Sequence, residues 1–110
     1  NAFKNLDPNL RVPKYSKDLK SSYHLFLLNI KFKKLKKNKD HFIKYLKNKN
    51  IIVQQHYIPI YKFTVFKENL FSLKGSENYY NNSISIPIFT NLSNKNQNKV
   101  IETIKKYFKN

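Results

Sequence analysis

Tyr23-His24-Leu25-Phe26-Leu27-Leu28-Asn29-Ile30-Lys31-Phe32 is a nearly continuous apolar run in a 110-residue chain. Ten residues are far too few to span a bilayer, so the run reads as a strand buried on both faces. Downstream, Lys33 to Lys37 form a basic connector. Asn38 is placed to cap a helix, with Asp40 in the first turn, where a carboxylate complements the helix dipole. Phe42, Ile43 and Leu46 follow at i, i+1 and i+4, which predicts an amphipathic helix over 39–49. Ile51, Ile52 and Val53 are β-branched and begin a second strand, which Pro59 ends. Phe63, Phe66, Leu70, Phe71 and Leu73 line either a short helix or an ordered loop, and 76–82 add one or two helical turns. Ser83-Ile84-Ser85-Ile86-Pro87-Ile88-Phe89 alternates with period two, as a third strand does. Ser93 then caps a last helix whose stripe is Val100, Ile101, Ile104, Tyr107 and Phe108. Upstream, residues 3–20 are polar, contain Pro8 and Pro13, and read as an extended lead-in. The order β-α-β-(α)-β-α buries its stripes best as an α/β (α+β) two-layer sandwich, a sheet of about three strands covered by helices. Residues 21–110 make a single small domain.

The chain carries a formal charge of +16. Such a charge points to nucleic acid or an anionic surface, but the residues that carry it point elsewhere. There are 21 Lys, 16 Asn and 11 Ile, all with A/T-rich codons, and Arg11 is the single arginine. Readers of nucleic acid favour Arg for its bidentate grip. The charge therefore reads mainly as nucleotide bias expressed on a surface. The absence of cysteine excludes disulfide scaffolds, Cys-based zinc sites and thiol catalysis, and fits a reducing, cytoplasmic setting. A single glycine, Gly75, excludes Gly-rich phosphate loops and dinucleotide fingerprints. With no methionine, the chain reads as a piece of a longer protein, and Asn1-Ala2 as the remnant of a cleaved tag.

Chemistry-bearing residues are few. His24, His41 and His56 are spaced 17 and 15 apart, so no two share a helical turn, and a metal site is not expected. His41 sits among lysines as an exposed polar residue. His24, inside the apolar run, is either a hydrogen-bonded core histidine or a secondary site residue. His56 stands at a strand end beside Tyr57 and ahead of Pro59, where sites are often built. An imidazole and a phenol there can hydrogen-bond a sugar hydroxyl or a phosphate, or simply pack on the next loop. Asp7, Asp18, Asp40, Glu68, Glu77 and Glu102 are scattered and form no obvious acid–base pair. Tyr79-Tyr80 either stack on a ligand or belong to the core.

Several segments together carry a resemblance. Ser21-Ser22-Tyr23-His24-Leu25-Phe26 resembles the "S-x-W/Y-H-L-F/Y" strand of the DegT/DnrJ/StrS sugar aminotransferases. Residues 50–61, with His56-Tyr57-Ile58-Pro59, resemble that family's "gI-x-x-x-x-H-Y-x-P-h" segment. Glu77 and the Ser83–Phe89 stretch resemble "A-E-x…lSLP", and Leu92-Ser93 with the last helix resembles the family's ending. The four motifs run in order over nearly the whole chain. Residues 53–63 most resemble the branch serving pseudaminic acid. Two positions depart from the pattern: Tyr61 stands where many members have a second His, and Asn50 where they have Gly, although Asn also adopts left-handed caps.

The resemblance implies the C-terminal small domain of a fold-type I enzyme dependent on pyridoxal 5′-phosphate (PLP). It implies a homodimeric parent that moves an amino group from glutamate to a keto sugar on a nucleotide, for surface polysaccharide or glycan. Cofactor-binding and catalytic residues would lie in the preceding large domain, leaving none in this piece, which alone would be inactive. His56, Tyr57 and Tyr61 would face substrate, with His24 as a secondary candidate. No nucleic acid, membrane or metal partner is implied. Two other readings stand beside this one. One is a basic module for nucleic acid or another polyanion, supported by charge and aromatics. The other is a structural module whose orphaned apolar face self-associates.

Overall fold

The computed structural model describes residues 2–14, 16–66 and 72–109. Its elements are β1 (Leu10–Arg11), β2 (Phe26–Ile30), α1 (Lys39–Lys47), α2 (Lys74–Asn82), β3 (Ser83–Ile86) and α3 (Asn94–Lys109). The three strands form one antiparallel sheet with β2 in the centre. A small sheet with three helices is the α+β arrangement that the apolar stripes call for.

Strand register divides the sheet into two unlike faces. Phe26 lies opposite Ile86, Leu28 opposite Ile84 and Leu10 opposite Ile30, so these six side chains share one face. They meet Phe42 and Leu46 of α1 and Val100, Ile104 and Tyr107 of α3 in a single core. Burying each such large side chain is worth roughly 1.5–3 kcal/mol. The other face carries Leu27, Asn29, Ser83 and Ser85. There the Asn29 amide donates to Ser83 Oγ at 3.3 Å, which satisfies a polar pair near the sheet centre.

Both helix caps read from the sequence are present. Asn38 Oδ1 accepts from the His41 N–H at 3.1 Å, and Ser93 Oγ from the Asn96 N–H at 3.2 Å. The α1 stripe buries Phe42 and Leu46, and the α3 stripe buries Val100, Ile104 and Tyr107. At the C-terminal end of α1, Asn50 adopts φ 57°, the left-handed conformation that glycine usually supplies. The turn closes with Asn50 N–H donating to Lys47 O at 2.9 Å and Ile51 N–H to Leu46 O at 3.0 Å. Ile51 and Leu46 are both buried in the core below it.

The membership of the sheet differs from expectation. The strand expected from Ile51 does not form. The helix-closing turn takes the Ile51 N–H, and Gln54 alone reaches the edge of β3, bridging Ser85 through two backbone bonds of 3.0 and 2.8 Å. The third strand instead comes from the stretch read as a lead-in, where Leu10–Arg11 pair with β2 and Phe3 and Leu10 enter the core. Both β2 and β3 are shorter than expected, covering Phe26–Ile30 and Ser83–Ile86. Pro87 follows β3, and its missing N–H falls on the Gln54 side of the strand, where the Ser85 N–H two residues earlier points, so the bridge does not extend there. His24 lies in an exposed bend and is not a core histidine.

Around the ambiguous stretch, two short 3₁₀ turns cover Ile60–Lys62 and Thr64–Phe66, with Phe63 and Phe66 exposed. Glu68, Leu70 and Phe71 lie outside the described residues. The helical turns expected over 76–82 belong to α2, which starts two residues earlier. Tyr79 on α2 is exposed, so it is not a core aromatic.

Candidate functional site

Pairing of β2 and β3 brings the start of one strand beside the end of the other. At that end of the sheet lies a cleft of about 420 Å³, lined by His24, Gln54, His56, Tyr57, Ser85 and Phe89 among others. Three of the four residues singled out in the sequence thus converge: His24 from the bend before β2, and His56 and Tyr57 from the segment after the α1 turn.

His56 is half-buried. Its Nε2 lies 2.8 Å from Ser85 Oγ, and its Nδ1 is buried with no hydrogen-bond partner among the described residues. The Tyr57 ring meets the imidazole edge to face, with centroids 4.8 Å apart at 77°. Tyr57 is 76% exposed, so its phenol is the polar group with the freest reach. Ile52, Ile86 and Pro87 add apolar wall. Apolar walls with a few convergent hydroxyl, phenol and imidazole groups suit a small polyhydroxylated ligand better than a charged one.

Ser85 was not singled out as a site residue, although a signal for it was present. In Ser83-Ile84-Ser85-Ile86 the isoleucines occupy the core face, so period two puts both serines on the opposite face. A serine that is nearly fully buried on such a strand needs a partner, and His56 is that partner.

Tyr61 does not line this cleft. Its hydroxyl donates to Glu77 Oε1 at 3.0 Å and accepts from the Leu73 N–H at 3.3 Å, while the Lys62 amine donates to Glu77 Oε2 at 2.6 Å. Glu77 thus staples the 3₁₀ turn to α2. The Lys62 hydrogen bond, assisted by Tyr61, holds the Glu77 carboxyl below its ordinary range, and the same bond raises Lys62. A lowered acid contributes stability above its unfolded value and loses it as pH falls through the folded value. A raised amine contributes below its unfolded value and loses it as pH rises through the folded value. The staple is therefore whole between those limits. Acidification below the usual carboxylate range is expected to release residues 60–62 before the core unfolds. Hydrogen exchange of the Leu73 amide against pH checks this, and Glu77→Gln should abolish the acid-dependent step.

Lysines crowd the far end of β2. Lys31, Lys33, Lys34, Lys37, Lys39 and Lys74 border a second cleft of about 1030 Å³. Two of them are built into the fold. Lys37 donates to the Tyr107 carbonyl at 2.7 Å and lies 4.4 Å above that ring. Lys39 donates to the Tyr80 carbonyl with its amine 4.5 Å above the Tyr80 ring, and burial lowers its pKa against the opposing pull of Asp40. His41 also has a structural partner, its Nδ1 lying 3.3 Å from the Tyr107 hydroxyl. Among the described residues no three His, Asp or Glu side chains group to hold a metal, and no helix is long and apolar enough to cross a membrane.

Comparison with known proteins bears on the family and the fold. Over 93 residues the chain is 32% identical to the UDP-4-amino-4,6-dideoxy-N-acetyl-beta-L-altrosamine transaminase of Helicobacter pylori, covering 81% of this chain and 24% of that protein. It is 27% identical over 104 residues to the spore coat polysaccharide biosynthesis protein SpsC of Bacillus subtilis, covering 89% of this chain and 26% of that one. The chain thus spans about a quarter of the length of these curated relatives. The solved structure of Helicobacter pylori PseC, an aminotransferase involved in the biosynthesis of pseudoaminic acid, matches with a TM-score of 0.86 at 26% identity. That match covers 98% of this chain and 29% of that one. The sequence model of the DegT/DnrJ/EryC1/StrS aminotransferase family matches residues 1–105, and to that family this chain belongs.

Proposed function

We propose that this chain is the C-terminal part of a nucleotide-sugar aminotransferase and that its cleft contacts the sugar. The parent would transfer an amino group from glutamate to a keto sugar carried on a nucleotide, as a cytoplasmic homodimer making surface glycan. Relatives of this size and similarity support the class. The observation that carries the sugar role is the convergence of His24, His56 and Tyr57 on one partly apolar cleft.

The cofactor of such a parent would be PLP, which supplies an electron sink for amino transfer. The lining of this cleft does not fit that group. It offers imidazoles, a phenol, a hydroxyl and an amide, with no amine to form an imine and no carboxylate to face a pyridine nitrogen. The work left to this chain is to bind and orient the sugar. Tyr57 donates a hydrogen bond to a sugar hydroxyl, His24 offers a second polar contact, and the apolar wall covers a sugar face. Tyr61 acts from outside the cleft by holding the 3₁₀ turn on α2.

The experiment compares the full-length protein with this chain, each supplied with PLP, glutamate and a nucleotide-linked 4-keto sugar. Amino-sugar formation is expected from the full-length protein alone, measured by mass spectrometry. Turnover by the isolated chain, or an internal-aldimine absorbance band on adding PLP to it, overturns the assignment of roles. A full-length protein that does not aminate keto sugars overturns the function.

A further inference from the structure

The His56–Ser85 contact also determines where the imidazole proton sits. Ser85 Oγ lies 2.8 Å from His56 Nε2 and donates to the Gln54 carbonyl at 3.4 Å. With the ring proton on Nε2, the imidazole donates to Ser85 Oγ and the serine proton goes to Gln54, so every proton in the group has an acceptor. With the proton on Nδ1, the serine proton must turn to Nε2. A buried N–H then has no acceptor among the described residues. Buried N–H groups are rarely left orphaned, whereas an unfilled acceptor lone pair is better tolerated. The first arrangement is therefore favoured. Ser85 can impose it because the Gln54 bridge on one side and β2 on the other hold its strand, and its side chain is buried.

We infer that Ser85 is a positioning residue: it holds His56 as the Nε2–H tautomer and so orients Tyr57 toward the ligand. The Tyr57 ring rests edge to face on the imidazole, so the angle of the His56 ring sets where the phenol points. The orienting part of this inference rests on the sugar-binding reading above, and the tautomer does not.

The test uses the chain labelled with ¹⁵N at histidine, with long-range ¹H–¹⁵N spectra recorded at alkaline pH, where imidazole is neutral. The wild-type His56 is expected to carry its proton on Nε2. Ser85→Ala should shift the tautomer population, and Ser85→Thr, which keeps the hydroxyl, should restore it. A wild-type proton on Nδ1 overturns the inference, and that spectrum decides whether or not Ser85→Ala folds. An unchanged tautomer in folded Ser85→Ala overturns it too. In the full-length enzyme, Ser85→Ala is expected to lower kcat/KM for the keto sugar about tenfold, mostly through KM, with recovery in Ser85→Thr. Unchanged kinetics overturn the positioning role. The Nε2–H form in a parent that does not transaminate upholds the tautomer and sinks the function. The Nδ1–H form in an active parent does the reverse.

Discussion

Phe42→Ala is expected to lower unfolding free energy by about 3–5 kcal/mol, the usual range for removing a fully buried aromatic side chain. Phe42 is 0% exposed and stands where the helices meet the sheet. Its ring centroid lies 4.6 Å from Tyr107, 5.8 Å from Phe32 and 6.2 Å from Phe108, so one truncation strips contacts from α1, α3 and the β2–α1 connector at once. Domains are typically stable by only about 5–15 kcal/mol, so much of that margin disappears. Urea denaturation should show a midpoint moved well down with little change in slope. Lys44→Ala, on the exposed side of the same helix, is the control and should stay within about 0.5 kcal/mol of wild type. A Phe42→Ala protein as stable as that control would mean that the core is not centred here.

On the proposed function, His56→Ala in the full-length protein is expected to reduce kcat/KM for the keto sugar by about 10–100-fold while sparing the reaction with glutamate. The variant removes the surface on which Tyr57 rests and leaves the buried Ser85 hydroxyl without its nearest side-chain partner. A 10–100-fold loss corresponds to about 1.4–2.8 kcal/mol, the order of one or two misplaced hydrogen bonds to the ligand. Because His56 is only half-buried, far less core is lost than at Phe42, and the chain should still fold. Single-turnover kinetics with each substrate separate the two halves of the reaction. Equal losses with glutamate and sugar would count against a sugar-facing role, as would wild-type kinetics.

Much of this was legible in local pattern. The α1 and α3 stripes and both caps appear in the sequence because a helix is specified by neighbours three and four residues away. Strand pairing is not local. Nothing around Leu10 announces that it will pair with Ile30, and nothing in Ile51-Ile52-Val53 says that a helix-closing turn will claim the first amide. Pro87 lacks an N–H on the side that faces Ile52, so its effect acts across the sheet, on a segment distant in sequence. The site was legible in part for the same reason. His56 and Tyr57 are adjacent in sequence and were found together. Ser85, 29 residues away, meets His56 only once β3 is in place. Tyr61 looked like a third member because it stands where many members of the resembled family have a second His, but its hydroxyl bonds to Glu77 and Leu73 outside the cleft.

The left-handed turn at Asn50 has a consequence for how this chain can change length. It anchors the segment before His56 at a defined point on α1, and the Gln54–Ser85 bridge anchors it again four residues later. Side chains alternate sides along an extended segment, so one residue inserted or deleted between the two anchors would break or slip the Gln54–Ser85 bridge, and a slip by one turns His56 away from Ser85. Substitutions there are survivable, but a change of length is not. Downstream of Pro59 the path to α2 includes two exposed 3₁₀ turns and no sheet pairing among its described residues, so insertions there leave the register untouched. Among natural variants of this chain, gaps should therefore fall after residue 62 and be missing between residues 50 and 56.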